Sequence, residues 1–416
     1  MSRREVITVR SEATKIGVVN SAVASIRAQS ETETAVRYID NGRVGLASTV
    51  GPVSLDALTR RAKDALVFEV PYAVEPEPQR ALSEGHHGER RTEDELVRLT
   101  DAILGPLREH HPDFVFSHGV EQKHLEWQIQ SDDGLDLSYS RDTTTMAFIA
   151  KEKGSGNIID TFVGTEASNV QTDDVVRIFR DHLSAFGREA PAQSGRQRVI
   201  FPGLNGMAGA SLMGMFRSDL LGRTYAQGAS FFDGKVGDGQ PHFSTALSLV
   251  EVRDPSEARV CPFDMEGVTR DPLNLEVIQD GMLTSLAVNK RDAVRYGLKG
   301  TGTAIGGAGQ LPSSGFGHLA VLPTADTLAD LLGPDGGVLV WFVAGGDCTR
   351  AGDLALPAQV LLAVDGAGRL IGRLPGATLT GNVMDVFGDS FVGSTVERID
   401  DFSDEGYFVT HMDVVR

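Results

Sequence analysis

Cysteine is almost absent from this chain. Of 416 residues only Cys261 and Cys348 carry a thiol, too few for a disulfide framework or a cysteine-based zinc site. Both are expected as ordinary buried thiols. Long apolar runs are missing as well: none approaches the roughly 20 residues of a membrane-spanning helix, so no membrane association is expected. The opening MSRREVITVR has no apolar segment of the signal-peptide kind, which makes the cytoplasm the expected location. Positive charge is scarce, since 39 Lys and Arg stand against 57 Asp and Glu for a net charge of −18. Such a surface repels phosphate backbones unless a basic patch intervenes. The densest basic clusters, Arg60-Arg61-Ala62-Lys63 and Arg90-Arg91, are short and flanked by acids, so nucleic acid is not an expected partner. A composition of 41% hydrophobic and 23% charged residues describes a soluble globular protein, long enough for two or more domains.

The first half alternates strand and helix signals. Residues 24–50 read largely as strand, broken by Asp40-Asn41-Gly42, a strong hairpin signal between two alternating runs. Ser54 is placed to cap a helix over 55–67. The polar, proline-bearing stretch 71–91 reads as a surface connection, and its His86-His87 pair lacks ligand geometry without further partners. Thr92 before Glu93-Asp94-Glu95 predicts a capped helix to about Leu104, ended or kinked at Gly105-Pro106. Strand runs then fill 113–153, with turns expected at 131–134 and near Arg141-Asp142. Inside them His118, Glu121 and His124 are spaced HxxExxH, which is not the HExxH zinc signature; solvated strand ends are the expectation. Thr172 is expected to cap a helix over 173–186, and residues 187–197 read as a linker.

Residues 199–201 form a short apolar run closed by Pro202-Gly203, expected as a buried strand. A helix should follow over about 204–221. Gly206, Ala208, Gly209, Ala210, Ser211 and Gly214 make it unusually small-sided, and each interior glycine costs about 1 kcal/mol relative to alanine. That pattern calls for a second backbone passing close by. Residues 223–239 read as a glycine-rich loop and 243–252 as a strand. Asp264 and Glu266, two residues apart before Gly267, would share one face of an extended segment, which admits an acid/base pair as well as a structural motif near a cleft. Asp280-Gly281 marks a second hairpin, and Asn289 a cap for a helix over 290–296 closed by Gly297. Gly300 to Gly307 lacks the context of either nucleotide motif and reads as a flexible loop lining a groove. Beyond it, strand runs at 319–322, 337–343, 359–364 and 370–374 alternate with turns. Short helices are expected at 325–332, capped by Thr324, and near 384–387, opened by Gly381-Asn382.

The segments RTYAQGASFFDGKVG, PFDMEGVTRDPLNLEVIQDGMLTSLAVNKRDAVRYGLKGTGTA and LPGATLTGNVMDVF, in this order and spacing, resemble the TldD/TldE (PmbA-like) family, associated with zinc-dependent peptide cleavage. The resemblance spans nearly the whole chain. It implies a helix after the 199–201 strand that carries HExxxH in the catalytic branch, with two zinc-binding histidines and a water-activating glutamate. Counted back from Gly234-Lys235-Val236-Gly237, those positions are Met213, Gly214 and Ser218. None supplies a zinc donor or a base of the required kind. The family's third ligand, a cysteine near the C-terminus, has no counterpart from Asp401 to Arg416. The chain therefore resembles the TldE branch, whose members accompany a catalytic TldD subunit.

The expected fold is α+β, with an N-terminal mixed α/β domain over 1–190 and a β-rich C-terminal domain over 191–416 around a buried small-residue helix. The expected function is a non-catalytic, TldE-like subunit of a zinc metalloprotease complex acting on unfolded peptides. No catalytic residue, metal or cofactor is assigned to this chain; zinc is expected in a TldD-like partner. Asp264, Glu266, Gly267, Gly381 and Asn382 are candidates for a cleft or structural motif. Two alternatives stay open: a stand-alone homodimeric peptide-binding protein, and a hydrolase recruiting Asp264, Glu266 and a histidine such as His242.

Overall fold

In the computed structural model, residues 2–72, 81–192, 194–398 and 405–416 are described. The first sheet is built from unusually long strands: β1 (Arg3–Val19), β2 (Ala22–Asp40), β3 (Arg43–Val50), β4 (Ala81–His86), β5 (Phe114–Ser131), β6 (Asp136–Glu152) and β7 (Thr161–Ala167). Their order is β3-β2-β1-β5-β6-β4, with β7 also on β6. All neighbours are antiparallel except β4, which runs parallel to β6. The β2–β3 turn uses Asn41 and Gly42, both at positive φ, as the Asn-Gly pair demands.

Three helices flank this sheet. Helix α1 (Leu55–Asp64) starts where Ser54 accepts the Ala57 N–H. Helix α2 (Glu93–His110) starts at a full capping box between Thr92 and Glu95. Helix α3 (Thr172–Phe186) begins one residue earlier than expected, with Gln171 rather than Thr172 at the cap and no side-chain cap bond. Pro106 does not end α2. Ala102, whose carbonyl loses a partner there, is exposed to water, while Leu107 completes the buried stripe of Leu96, Leu99, Ile103 and Leu104.

Two further expectations fail here for one reason. There is no turn at Arg141-Asp142, and His118, Glu121 and His124 lie within β5 rather than at strand ends. Both spots carry polar residues that imitate turns: Asp142 is buried and held by Arg90 and His124, while His118 and Lys123 of β5 face solvent. The expected 71–91 connection is also partly strand, as β4; residues 73–80 lie outside those described.

The second half contains β8 (Gly195–Phe201), α4 (Met207–Phe216), α5 (Gly222–Ala226), β9 (Leu249–Glu251), β10 (Leu275–Gln279), β11 (Met282–Leu283), α6 (Lys290–Tyr296), β12 (Ala304–Ile305), β13 (Ser313–Ser314) and β14 (Leu319–Val321). It ends with α7 (Leu328–Leu331), β15 (Gly337–Val343), β16 (Asp347–Cys348), β17 (Asp353–Val364), β18 (Leu370–Leu374), β19 (Ala377–Asn382), α8 (Val383–Val386), β20 (Phe391–Ser394) and β21 (Phe408–Val415). The main sheet runs β15-β8-β21-β19-β17-β16, and a further β15–β17 ladder closes most of it into a circuit.

Both faces of this sheet are buried, which is why its strands read as unbroken apolar runs. Alternate residues feed different cores. Val199, Phe201, Val338 and Val340 join Leu212, Met213 and Phe216 of α4. Ile200, Leu339 and Trp341 join Leu99 and Ile103 of α2 and Phe179 of α3. The two halves thus share a core, with the α2–α3 layer between their sheets.

Several lengths differ from expectation. The small-residue helix is α-helical only over 207–216 and continues as a 3-10 turn over 217–220. Only 249–251 of the expected 243–252 strand is paired, and α7 is capped by Thr327 rather than Thr324. The loop expected at 223–239 begins with α5. The Asp280-Gly281 hairpin, the Asn289 cap and the Gly297 stop form as expected.

Candidate functional site

The small residues on α4 serve different ends. Gly209 passes so close to the preceding loop that a Cβ there would sit 1.8 Å from the Gly203 carbonyl oxygen, the close backbone approach that the composition called for. Gly206 caps the helix, and Gly214 faces open space. The three positions that the resemblance matched to the zinc motif end up in unlike surroundings. Met213 is buried in the main core, Gly214 is exposed, and the Ser218 hydroxyl donates to Asp219 Oδ2 at 3.3 Å.

Zinc does not fit this donor set. Met213 offers a thioether sunk in apolar packing, Gly214 offers nothing, and Ser218 a neutral hydroxyl. The thiol near this rim, Cys348, is pushed above its usual range by burial and by the charges of Asp219, Asp347 and Asp353. Among the described residues no group of three His, Cys, Asp or Glu is arranged to hold a metal ion. Residues 401–404 of the C-terminal stretch without cysteine lie outside those described.

Gly381 and Asn382 sit at the same end of the main sheet. Asn382 caps α8 by accepting the Met384 N–H at 3.0 Å, and its amide donates to the Ala351 carbonyl and Asp353 Oδ1, both at 2.9 Å. Its strand neighbour Gly381 pairs with Leu354, which also pairs with Cys348. The Gly-Asn motif therefore fixes the 349–353 turn against α8.

Asp264, Glu266 and Gly267 lie elsewhere, beneath the first sheet. The segment is a turn rather than an extended strand: Gly267 takes φ +75°, and Asp264 Oδ1 accepts the N–H groups of Glu266 and Val268 at 2.8 and 2.9 Å. Asp264 Oδ2 accepts the Ala304 N–H at 3.0 Å. Glu266 Oε2 accepts the Lys290 N–H at 2.8 Å, while Oε1 is shut from solvent with no hydrogen-bond partner among the described residues. Burial, and then the charge of Asp264, pushes the Glu266 carboxyl up to about 8. The sequence offered no sign of what surrounds this turn. Arg37 of β2 reaches the Met265 carbonyl at 2.7 Å and lies 3.4 Å from Glu5 and 3.1 Å from the Tyr72 hydroxyl. A second buried ion group, Glu251 with Arg253 at 3.0 Å and Arg270 at 2.6 Å, was also missed. Nothing in local spacing signals pairs made across distant strands.

No hydrogen bond or ion pair among the described residues joins Asp264 or Glu266 to the α4 rim. His242 bonds Asp238 at 2.8 Å and not the carboxylate turn. His124 bonds Asp142 at 2.8 Å, Glu121 lies 3.7 Å from Lys15, and His87 lies 3.6 Å from Asp142. His86 packs edge-on against Tyr139. Gly300, Thr301 and Gly302 line a broad groove of about 1030 Å³ together with Leu275, Leu286 and Leu298, as the loop's composition led us to expect.

The family profile described as PmbA/TldA metallopeptidase C-terminal domain matches residues 194–405. Among solved structures the chain is similar to TldE from Thermococcus kodakarensis, with TM-score 0.76 and 18% identity over 100% of this chain and 97% of that one. It is also similar to a candidate modulator of DNA gyrase from Thermotoga maritima, with TM-score 0.73 and 17% identity over 100% and 96%. A candidate modulator of DNA gyrase from Bacteroides thetaiotaomicron gives TM-score 0.73 and 16% identity over 99% and 94%. At these identities the structural likeness speaks for the fold. No curated protein sequence matches. No described helix is long and apolar enough to cross a membrane. With the profile covering half of the chain and the shared fold its whole length, this protein belongs to the TldD/PmbA family of metallopeptidase-related proteins.

Proposed function

We propose that this chain is a non-catalytic, TldE-like subunit that pairs with a TldD-like chain, the partner supplying the zinc and the water-activating glutamate. The observation that carries this reading is the chemistry of α4. The motif positions on it and in the turn that follows hold a core-buried thioether, a glycine and a hydroxyl. This chain's part is to complete the cavity that admits unfolded peptide. An extended peptide can add to a sheet edge through main-chain bonds that tolerate many sequences. Strand β2 supports this role, because β3 pairs with it only from Glu33 onward and, among the described residues, leaves 22–31 as a long outer edge. We assign residues 1–190 and 191–416 to two domains, and place the protein in the cytoplasm.

A hydrolase built on Asp264 and Glu266 finds less support. Asp264 is 0% and Glu266 1% exposed, and three backbone N–H groups occupy the Asp264 carboxylate. Such a turn is sealed from any substrate. Reconstitution separates the readings. Co-expression with a HExxxH-bearing homologue should yield a stable heteromer, and only the mixture should cleave unfolded peptides. Cleavage by the purified chain alone would favour the hydrolase; a homodimer that binds peptide and ignores the homologue would favour the stand-alone binding protein.

A further inference from the structure

Strand β2 leaves one edge of the first sheet unguarded. Gly51 donates to the Thr32 carbonyl, so the main-chain groups of Thr32 point outward, and alternate residues of an antiparallel strand turn theirs the same way. Ile26, Ala28 and Ser30 therefore present N–H and C=O groups that have no partner among the described residues. Such edges are ordinarily blunted by lysine, proline or a bulge. Residues 26–31 have none of these. The register shift of β2 against β1 lies beyond them, at Gly17 and Val18, and their charged side chains, Arg27 and Glu31, alternate with Ala28 and Ser30 and lie on the other face.

A cavity of about 400 Å³ starts at this edge, lined by Ala28, Gln29 and Ser30 and, further in, by Glu12, Thr14 and Asp142. Ser30 pairs with Glu12 and Ala28 with Thr14 in the β1–β2 ladder, so these four side chains sit together on one face. Charge on that face does not balance. Arg90 is held by Asp142 at 2.9 Å, which also takes His124 at 2.8 Å, and Arg10 is held by Glu126 at 3.2 Å. Glu12 is left with Arg90 at 3.9 Å and no hydrogen bond among the described residues. The hydroxyls of Ser30 and Thr14 beside it are likewise without a hydrogen bond there. A carboxylate flanked by two hydroxyls accepts what a lysine ammonium brings, three N–H donors and one positive charge.

We propose that this edge takes an extended peptide segment with a lysine opposite Ser30, its main chain bonded along 26–30 and its ammonium on Glu12, Ser30 and Thr14. Main-chain bonds give an added strand its affinity, and a pocket for alternate side chains gives it specificity. Ala28 and Ser30 are small enough to let a long side chain pass over them to β1, which lies about 10 Å from the added strand at two strand spacings. This assignment rests on the peptide-binding role proposed above and adds to it a preference for segments that carry lysine.

The test uses the full chain and fluorescence anisotropy of N-terminally labelled heptapeptides of alternating threonine and valine, with lysine, norleucine or glutamate at the centre. The lysine peptide should bind about fivefold more tightly than the norleucine peptide, the glutamate peptide more weakly than either, and salt should narrow the spread. Glu12→Gln should bring the lysine peptide's affinity down to that of the norleucine peptide. Methylating the main-chain nitrogen of the central lysine should abolish binding, and methylating that of the next residue should not. Ala28→Pro, which removes an outward N–H without breaking the ladder to β1, should also abolish it. Equal binding of the three peptides overturns the lysine pocket and leaves peptide binding standing. Binding that survives both Ala28→Pro and methylation overturns the edge. Self-association of the chain that Ala28→Pro abolishes, with no peptide bound, gives the edge to a second copy and overturns the proposal. Failure of all three peptides to bind overturns the two readings together. Should Ala28→Pro not fold, the methylated peptides still decide.

Discussion

Arg37 and Met265, 228 positions apart in sequence, are joined by a hydrogen bond of 2.7 Å from Nη2 of the arginine to the backbone carbonyl. The bond holds the carboxylate turn against the first sheet. Both Arg37 and its partner Glu5 are almost wholly buried, at 2% and 0% exposure. Burial opposes the arginine's charge, but Tyr72, Glu5 and Glu266 outweigh it and hold the group above its ordinary range.

Removing one member of such a group leaves the other charge stranded. Arg37→Met should cost about 3 kcal/mol of stability or more, seen as a lower denaturant midpoint. A change within about 0.5 kcal/mol, the scale of ordinary surface substitutions, would mean that the turn does not depend on this contact.

Glu266 gives stability a pH dependence of unusual sign. Its carboxyl titrates near 4.5 in the unfolded chain and about 8 in the folded one, so the folded state binds more protons between those values. Stability should therefore fall as pH rises from about 4.5 to 8. Glu266→Gln, which keeps an acceptor for the Lys290 N–H, should melt higher than the unaltered protein at pH 8.5 and gain nothing at pH 4.5. Parallel melting-temperature curves across that range would contradict the assignment.

His182 acts in the opposite direction. It packs on Trp341 at a ring distance of 4.3 Å and bonds Thr161 at 2.9 Å, and burial lowers it to about 3. The unfolded state binds the extra proton between pH 6.5 and 3, so this contribution is intact above 6.5 and lost as pH falls through that window. His182→Gln should flatten the acid limb of the stability profile, measured by urea unfolding at stepped pH.

Two glycines on α4 make a paired test. Gly209→Ala would drive a methyl to 1.8 Å from a backbone oxygen and should destabilise by about 3 kcal/mol. Gly214→Ala meets nothing within 4 Å and should stabilise by roughly 0.5–1 kcal/mol. Equal effects would mean that the helix does not pack as described.

Where a strand was buried on both faces and read as an apolar run, or a turn or cap had its own chemistry, the sequence was legible. The Asn41-Gly42 and Asp280-Gly281 hairpins, the Ser54, Thr92 and Asn289 caps and the 337–343 strand all formed where their residues pointed. Strand β1 was not foreseen, because Thr8, Arg10, Glu12 and Thr14 on one side and Ser11 and Lys15 on the other face water and leave no apolar alternation. Pro106 misled for a related reason: local propensity lost to the burial of Leu107. For the candidate site, the absence of zinc donors at Met213, Gly214 and Ser218 was readable by position. The Arg37–Met265 joint was not, since it depends on residues more than 100 positions apart in sequence.

The zinc content of the purified chain, measured by mass spectrometry after expression in zinc-replete medium, tests the central claim most directly. Our account predicts far less than one zinc per chain and no peptide cleavage. One tightly held zinc per chain, removed by a chelator together with cleavage activity, would contradict it.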